Sequence, residues 1–286
     1  GYVSKFIYGG YGYFDNMNYF YENNGYDIVD RTSLSSEEVT FGNIWGVADE
    51  DLFRRAIKEN DKAYAAGKPF YDMIMTTSNH RPFTYPDGKI DIPSHSGRKG
   101  GVKYTDYAIH QLIEEARKHP WFNNTIFVIV ADHTAGGAGK SELDPAAYHI
   151  PLMFYAPGII KPGKIETLTS QIDVVPTLLG LLNMDYDSRF YGRDVLHAPL
   201  ERALISNYQQ VGYLTKDNLV VMRPIKQLMS FKRENDGFVA QSQIDPELEK
   251  ITISYFQNAN RWKEWNKQMV PSSQQARIGK HENTTH

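Results

Sequence analysis

One strongly apolar segment, residues 125–131, limits the folds open to this chain more than any other feature of the sequence. It is β-branched and apolar on both faces, which is typical of a strand covered by helices on both sides of a parallel sheet. Helices are predicted on either side of another strand at residues 70–75: one runs from Asp49 as N-cap to Gly67, the other covers residues 105–118. This alternation predicts a doubly wound α/β sheet.

The pattern changes after about residue 198. Short strands separated by polar turns are predicted at residues 203–207, 210–215, 219–223 and 227–232, and a helix follows at residues 245–267. These elements predict a small antiparallel sheet with a helix. We therefore expect a main domain over residues 1–197, with an N-terminal portion missing, a packed subdomain over 198–270, and a polar tail over 271–286.

Composition excludes several classes of function. The 286 residues carry a formal net charge of −3, so there is no basic excess to bind nucleic acid. The chain has no cysteine, which excludes thiolate metal sites, cysteine nucleophiles and disulfides. The chain starts without an initiator Met, and residues 1–8 run directly into a predicted strand, so we expect it to be part of a longer protein.

The predicted strand at residues 125–131 ends in the pair Asp132-His133. Ligands of open α/β sheets bind at the carboxyl ends of strands, and a carboxylate beside an imidazole can bind Zn²⁺ or Mn²⁺. The same pair could instead be a turn-capping acid and an ordinary loop histidine, and spacing alone favours that second interpretation.

Two further histidines lie close to predicted strand ends. His80 follows the strand at 70–75 and could bind a phosphoryl oxygen or act as a general acid, or simply pack beside Pro82 and Phe83. His149 lies just before a strand predicted at residues 152–155, where it could face a site or pair with backbone. The residues alone leave these alternatives open.

Four motifs in order resemble one family. Together they are similar to the sulfatase-like domain of lipoteichoic acid synthases and to the related phosphoglycerol transferases, both of the alkaline phosphatase superfamily. The motifs are Thr-Ser-Asn-His-Arg-Pro-Phe at 77–83, Val-Ala-Asp-His at 130–133, His-Ile-Pro-Leu-Met-Phe-Tyr-Ala-Pro-Gly at 149–158, and Ser-Gln-Ile-Asp-Val-Val-Pro-Thr-Leu-Leu at 170–179. The resemblance covers residues 5–196 and implies an alkaline phosphatase-like fold, with a mainly parallel sheet between helices.

The resemblance also implies roles for particular residues. Asp132 and His133 would be two ligands of a catalytic Mn²⁺ or Zn²⁺, with Mg²⁺ as a third candidate, and His80 would contact the substrate phosphate. Asp15 and Asn16 lie where the family contacts its head group, and His149 is a further substrate-binding candidate. The family's threonine nucleophile and glutamate ligand have no match in this sequence, so we expect both upstream of it and expect the chain alone to be inactive.

The activity that the resemblance implies is transfer of a phosphoglycerol, or a related phospholipid head group, through a phosphothreonine intermediate. The implied partners are a phospholipid donor and an alcohol or glycan acceptor. The implied location is extracytoplasmic, in the periplasm or on the outer face of the membrane, with an N-terminal anchor in the whole protein. The alternatives are a sulfatase, a phosphodiester hydrolase, or a non-catalytic binding module of the same fold.

Overall fold

The protein is described by a computed structural model that covers residues 1–135, 143–235 and 237–269. Its described residues form two compact units. Unit 1 consists of residues 1–127 and 155–161, and unit 2 consists of 128–154 and the chain from 162 onward. The glycine-rich loop at 136–139 and the predicted tail at 271–286 lie outside the described residues. The predicted domain boundary at 197 stays a prediction.

Unit 1 contains a parallel three-stranded sheet. Its strands are β1 (Val3–Tyr8), β2 (Asp27–Val29) and β3 (Phe70–Met75), in the order β2-β1-β3. The central strand β1 is the most buried, and Phe6 and Ile7 are inaccessible to solvent. The predicted strand at 70–75 is therefore confirmed. The loops that carry the candidate residues Asp15, Asn16 and His80 follow β1 and β3 at the carboxyl edge of the sheet.

Three helices accompany this sheet: α1 (Met17–Asn23), α2 (Asp49–Ala65) and α3 (Arg98–Ala116). Helix α2 ends before Gly67, whose φ of +65° is the left-handed conformation expected there. The predicted N-cap of α2 is wrong by one residue, because Ala48 occupies that position. Asp49 is the first helical residue, and its carboxylate binds groups of another loop instead of its own helix.

Helix α3 begins seven residues before the predicted start at residue 105, and that prediction is wrong for a packing reason. Gly100 and Gly101, which disfavour a helix by propensity, lie inside it. A Cβ at Gly100 would collide with the hydroxyl of Tyr85, and one at Gly101 would press on the Phe83 ring. Tertiary packing therefore favours glycine at both helical positions, and most strongly at Gly100.

Strand β4 (Phe127–Val130) pairs with β5 (Leu152–Tyr155) in a two-stranded sheet. The described strands of the α/β part thus belong to the parallel sheet β2-β1-β3 and to the pair β4-β5. Burial of β4 on both faces is not observed, since its side chains are half-buried and Val130 is 40% exposed. The short helix predicted after β5 is present as α4 (Val174–Leu181).

The C-terminal part of unit 2 is an antiparallel sheet of five strands with one helix. Four strands match the prediction, and the fifth, β10, was not predicted. The elements are β6 (Ala203–Ser206), β7 (Val211–Leu214), β8 (Asn218–Arg223), β9 (Gln227–Glu234), β10 (Gly237–Gln241) and α5 (Pro246–Met269). The sheet buries an aliphatic cluster that includes Ile205, Leu219 and Val221. None of the helices in the described ranges is long and apolar enough to cross a membrane.

A buried ion pair joins the start of β6 to the segment before α4. Arg202 is inaccessible to solvent and donates to both carboxylate oxygens of Asp173, at 2.5 and 2.8 Å. Asp173 also accepts from the backbone N–H groups of Ser170 and Arg193. Such a pair is costly to break, because either partner alone would be an uncompensated buried charge. It therefore fixes residues 170–173 within unit 2.

Unit 1 contains a second buried cluster of charged side chains, which come from β1, β3 and α2. Lys5 of β1 donates to the Glu59 carboxylate at 2.5 Å, and Asp72 is the register partner of Lys5 on β3. Burial raises the pKa of Asp72 to about 7, with Lys5 lowering it and Glu59 raising it further. Oδ1 of Asp72 is buried and has no hydrogen-bond partner among the described residues.

Substitution Asp72→Asn should therefore stabilise unit 1 at high pH. Because the folded-state pKa is raised, the folded protein binds the extra proton, and stability falls as pH rises from about 4 to 7. We expect the variant to gain roughly 2–4 kcal/mol at pH 8 and less than about half of that at pH 5, measured by urea denaturation. Asp27→Asn, an exposed acid in the same register row, is the control. Equal effects of Asp72→Asn at both pH values would contradict this account.

Candidate functional site

The loop that carries His80 is held at its base by a buried carboxylate. Oδ1 of Asp49 accepts from the backbone N–H groups of Thr77 and Ser78, both at 3.0 Å, and Oδ2 accepts from the Thr105 hydroxyl at 2.8 Å. The backbone N–H of Asp49 donates in return to Oγ of Ser78. Burial raises the pKa of Asp49, and these hydrogen bonds oppose that shift. The first turn of α2 therefore fixes the loop after β3.

His80 is exposed, and the orientation of its ring is defined by two contacts. Nδ1 lies 3.0 Å from the carbonyl oxygen of Arg81, and because a carbonyl only accepts, Nδ1 carries the hydrogen. Nε2 is thereby left available for a ligand. The ring centroid lies 3.9 Å from that of Trp45, and the Phe14 ring meets Trp45 edge-on at 5.3 Å.

Asp15 and Asn16 belong to a 3₁₀ turn, Phe14–Asn16, that follows the glycine- and tyrosine-rich loop after β1. Both have positive φ, +48° and +58°, which Asp and Asn tolerate better than most residues. Both are exposed, and the structure connects their turn to His80 through Phe14 and Trp45. Their role in substrate binding stays a prediction.

The Asp132-His133 pair lies immediately after β4 in unit 2, and both side chains are exposed, by 77% and 73%. Nε2 of His133 is 3.5 Å from Oδ2 of Asp132. Oδ1 of Asp132 accepts from the backbone N–H of His133 at 2.8 Å. Nδ1 of His133 lies 2.8 Å from the carbonyl oxygen of Thr134, so Nδ1 carries the hydrogen.

This arrangement fits a divalent metal. Two ligands bound to one tetrahedral Zn²⁺ at 2.0–2.2 Å would lie about 3.4 Å apart, close to the separation observed here. Ligating histidines usually donate their other N–H to a carbonyl or carboxylate, as His133 does. Among the described residues there is no group of three or more His, Asp or Glu that could hold a metal. Asp132 and His133 would therefore form part of a ligand set.

Three other contacts hold this loop within unit 2. The Gln171 amide donates to the carbonyl oxygen of Asp132 at 2.8 Å and to that of Ala131 at 3.2 Å. The Thr134 hydroxyl donates to the carbonyl of Ala147, two residues before His149. The backbone N–H of Ala131 donates to the carbonyl of Pro151, two residues after His149. These bonds place the backbone around His149 beside the loop, while its side chain is exposed.

Sequence reasoning did not find the supporting residues Asp49, Trp45 and Gln171. An acid at a helix start is the usual capping signal, so the sequence predicts that Asp49 caps its own helix. Trp45 lies next to Gly46, shortly before α2. An aromatic residue beside a turn glycine is the one sequence feature that could have pointed to Trp45. Gln171 lies in the family motif at residues 170–179, but it donates to backbone carbonyls, which no sequence pattern specifies.

Comparison with known proteins assigns the chain to a family. The family model described as Sulfatase matches residues 1–184, and the chain belongs to this family. It is similar to lipoteichoic acid synthase 1 of Bacillus subtilis, with 27% identity over 206 residues, which are 65% of this chain and 32% of that protein. The chain thus spans about a third of the length of the curated relatives it matches.

Solved structures show the same fold. A Vibrio parahaemolyticus protein of the alkaline phosphatase superfamily superposes with a TM-score of 0.83 at 34% identity, over 92% of this chain and 66% of that one. The lipoteichoic acid synthase LtaP of Listeria monocytogenes superposes with a TM-score of 0.74 at 20% identity, over 91% and 70%. The predicted family resemblance and fold class are confirmed.

Removing the Asp49 carboxylate should release the His80 loop. Asp49→Ala leaves the N–H groups of Thr77 and Ser78 and the Thr105 hydroxyl without their acceptor, so we expect a loss of about 3 kcal/mol. Amide hydrogen exchange over residues 76–83 should accelerate. Asp49→Asn, which keeps one acceptor oxygen, should lose less. Unchanged exchange in Asp49→Ala would show that the loop does not depend on this carboxylate.

Proposed function

We propose that the whole protein is a metal-dependent phosphotransferase of the lipoteichoic acid synthase type, which moves a phosphoglycerol or related head group from a phospholipid to an acceptor. The observation that carries the proposal is the Asp132-His133 geometry after β4, with Nε2 of His133 available and 3.5 Å from the carboxylate. Similarity to the B. subtilis synthase supports transfer as the reaction.

Asp132 and His133 would hold the metal, Mn²⁺ or Zn²⁺, with Mg²⁺ as a further candidate. When bound, a divalent cation lowers the pKa of a coordinated hydroxyl and stabilises negative charge. Gln171 keeps the carbonyl of Asp132 in place and so orients the loop. His80, with its hydrogen on Nδ1 directed to Arg81, presents Nε2 to a phosphate oxygen and, when protonated, donates to it.

The proposed reaction has two displacements. A threonine hydroxyl, supplied by a segment of the protein that this sequence does not include, forms an Oγ–P bond as the bond from phosphorus to diacylglycerol breaks. The threonine proton is lost, and diacylglycerol leaves as the alcohol after taking up a proton. The oxygen of an acceptor hydroxyl then forms a bond to phosphorus as the Oγ–P bond breaks, which gives the new phosphodiester. The acceptor loses its proton, and the departing threonine oxygen takes one up.

The proposed partners follow from this reaction. The donor is a phospholipid such as phosphatidylglycerol, and the acceptor is an alcohol or a glycan. A lipid donor requires access to a bilayer, so we propose that the whole protein is anchored in the cytoplasmic membrane and that these residues lie on its outer face. Hydrolysis of a sulfate ester is the second candidate function, since the matching family model is described as Sulfatase.

Head-group transfer by the whole protein in detergent micelles tests the proposal. With phosphatidylglycerol labelled in the head group and added Mn²⁺, we expect label on an acceptor and release of diacylglycerol. Asp132→Asn and His133→Ala should each lower the rate by at least about 100-fold, more than changes outside the ligand set usually do. His197→Ala is a matched control, because His197 is also in unit 2 and 71% exposed.

Two results would contradict the proposal. One is a His133→Ala variant as active as the His197→Ala control. The other is hydrolysis of 4-nitrophenyl sulfate by a protein that releases no diacylglycerol, which would favour the sulfatase.

A further inference from the structure

A tight turn, residues 42–47, places Trp45 against His80. Oδ1 of Asn43 accepts from the backbone N–H groups of Trp45, at 2.8 Å, and Gly46, at 3.3 Å, and a bridge between Gly42 and Val47 closes the turn. Gly46 has φ of +154°, and a Cβ there would collide with the backbone of the loop after β1. The turn therefore has one defined conformation, set by its own side chain and by close backbone packing.

Hydrogen bonds also connect this turn to three other parts of the chain near His80. The backbone N–H of Val47 donates to the carbonyl of Gly9, after β1, and the carbonyl of Val47 accepts from the hydroxyl of Thr77. The Asn43 amide donates to the buried hydroxyl of Thr84 at 2.8 Å. The contacts at Thr77 and Thr84 lie on either side of His80 in the chain. The turn is therefore hydrogen-bonded to the chain both before and after His80.

Trp45 is not one of the buried residues that form the hydrophobic clusters of the described chain. It is half-buried, and its ring lies against His80 at 3.9 Å and Phe14 at 5.3 Å. Its neighbour Ile44 is 86% exposed at the tip of the same turn. The turn thus presents the indole to an exposed histidine and not to the core.

We propose that Trp45 is a positioning residue for His80 and that the Asn43 turn serves to place it. The Arg81 carbonyl fixes Nδ1 of His80, and the indole restricts rotation of the imidazole, so that Nε2 keeps one direction. The inference rests on the proposed function, in which Nε2 of His80 acts on the substrate phosphate. A displacement of about 1 Å in such a group can cost about 100-fold in rate.

Kinetics of the whole protein in the head-group transfer assay test the catalytic part. Trp45→Leu should lower kcat by about 10- to 100-fold with little change in KM, because the contact matters most where charge develops on the phosphate oxygens. Trp45→Phe should restore most of the activity, since a flat ring is retained. Ile44→Ser, on the same turn, should leave kcat unchanged. If Trp45→Leu is as active as Ile44→Ser, or Trp45→Phe restores nothing, the proposal is wrong.

Nuclear magnetic resonance of the 286-residue chain tests the contact without any activity. An indole at 3.9 Å should displace the His80 ring-proton signals, and Trp45→Leu should return them towards the positions of a free histidine while Ile44→Ser leaves them in place. Unchanged His80 signals in Trp45→Leu would overturn the positioning role. If the whole protein transfers no head group, the proposed function fails, and these signals still decide whether Trp45 positions His80.

Discussion

One hydrogen bond determines which ring nitrogen of His133, in the loop after β4, is available to a ligand. Nδ1 of His133 donates to the carbonyl of Thr134, so the free lone pair of the neutral imidazole is on Nε2, the nitrogen that faces Oδ2 of Asp132 at 3.5 Å. With the other tautomer the same two residues would offer a metal no common position. The metal-binding interpretation of Asp132 and His133, and with it the proposed phosphotransfer, depends on this bond.

The two units hold their functional loops by different physical means. In unit 1 a carboxylate without solvent access, Asp49, accepts three hydrogen bonds and fixes the loop that leads to His80. In unit 2 the loop after β4 is exposed, and Gln171 holds it through backbone carbonyls. Gln171 itself lies in the segment 170–173 that is fixed by the buried Asp173–Arg202 pair. The exposed candidate side chains are thus supported by buried polar contacts a few residues away.

The sequence predicts those parts of the fold that depend on local pattern. Strand β3 and strands β6 to β9 follow from alternation and turn residues, and the family follows from four motifs in order. The start of α3 could not be predicted, because Gly100 and Gly101 are required by contacts with residues distant in sequence. The candidate residues His80, Asp132 and His133 were found by residue type at strand ends, whereas Trp45 and Asp49 were not. Their roles depend on long-range contacts that no local spacing encodes.

The central claim is that Asp132 and His133 bind a divalent cation together through the carboxylate and Nε2. Anomalous scattering from crystals of the whole protein grown with Mn²⁺ tests it most directly. We predict one anomalous peak bonded to both the Asp132 carboxylate and Nε2 of His133, with Nδ1 still donating to the carbonyl of Thr134. A peak coordinated by Nδ1, or a bound Mn²⁺ that contacts neither residue, would contradict the account.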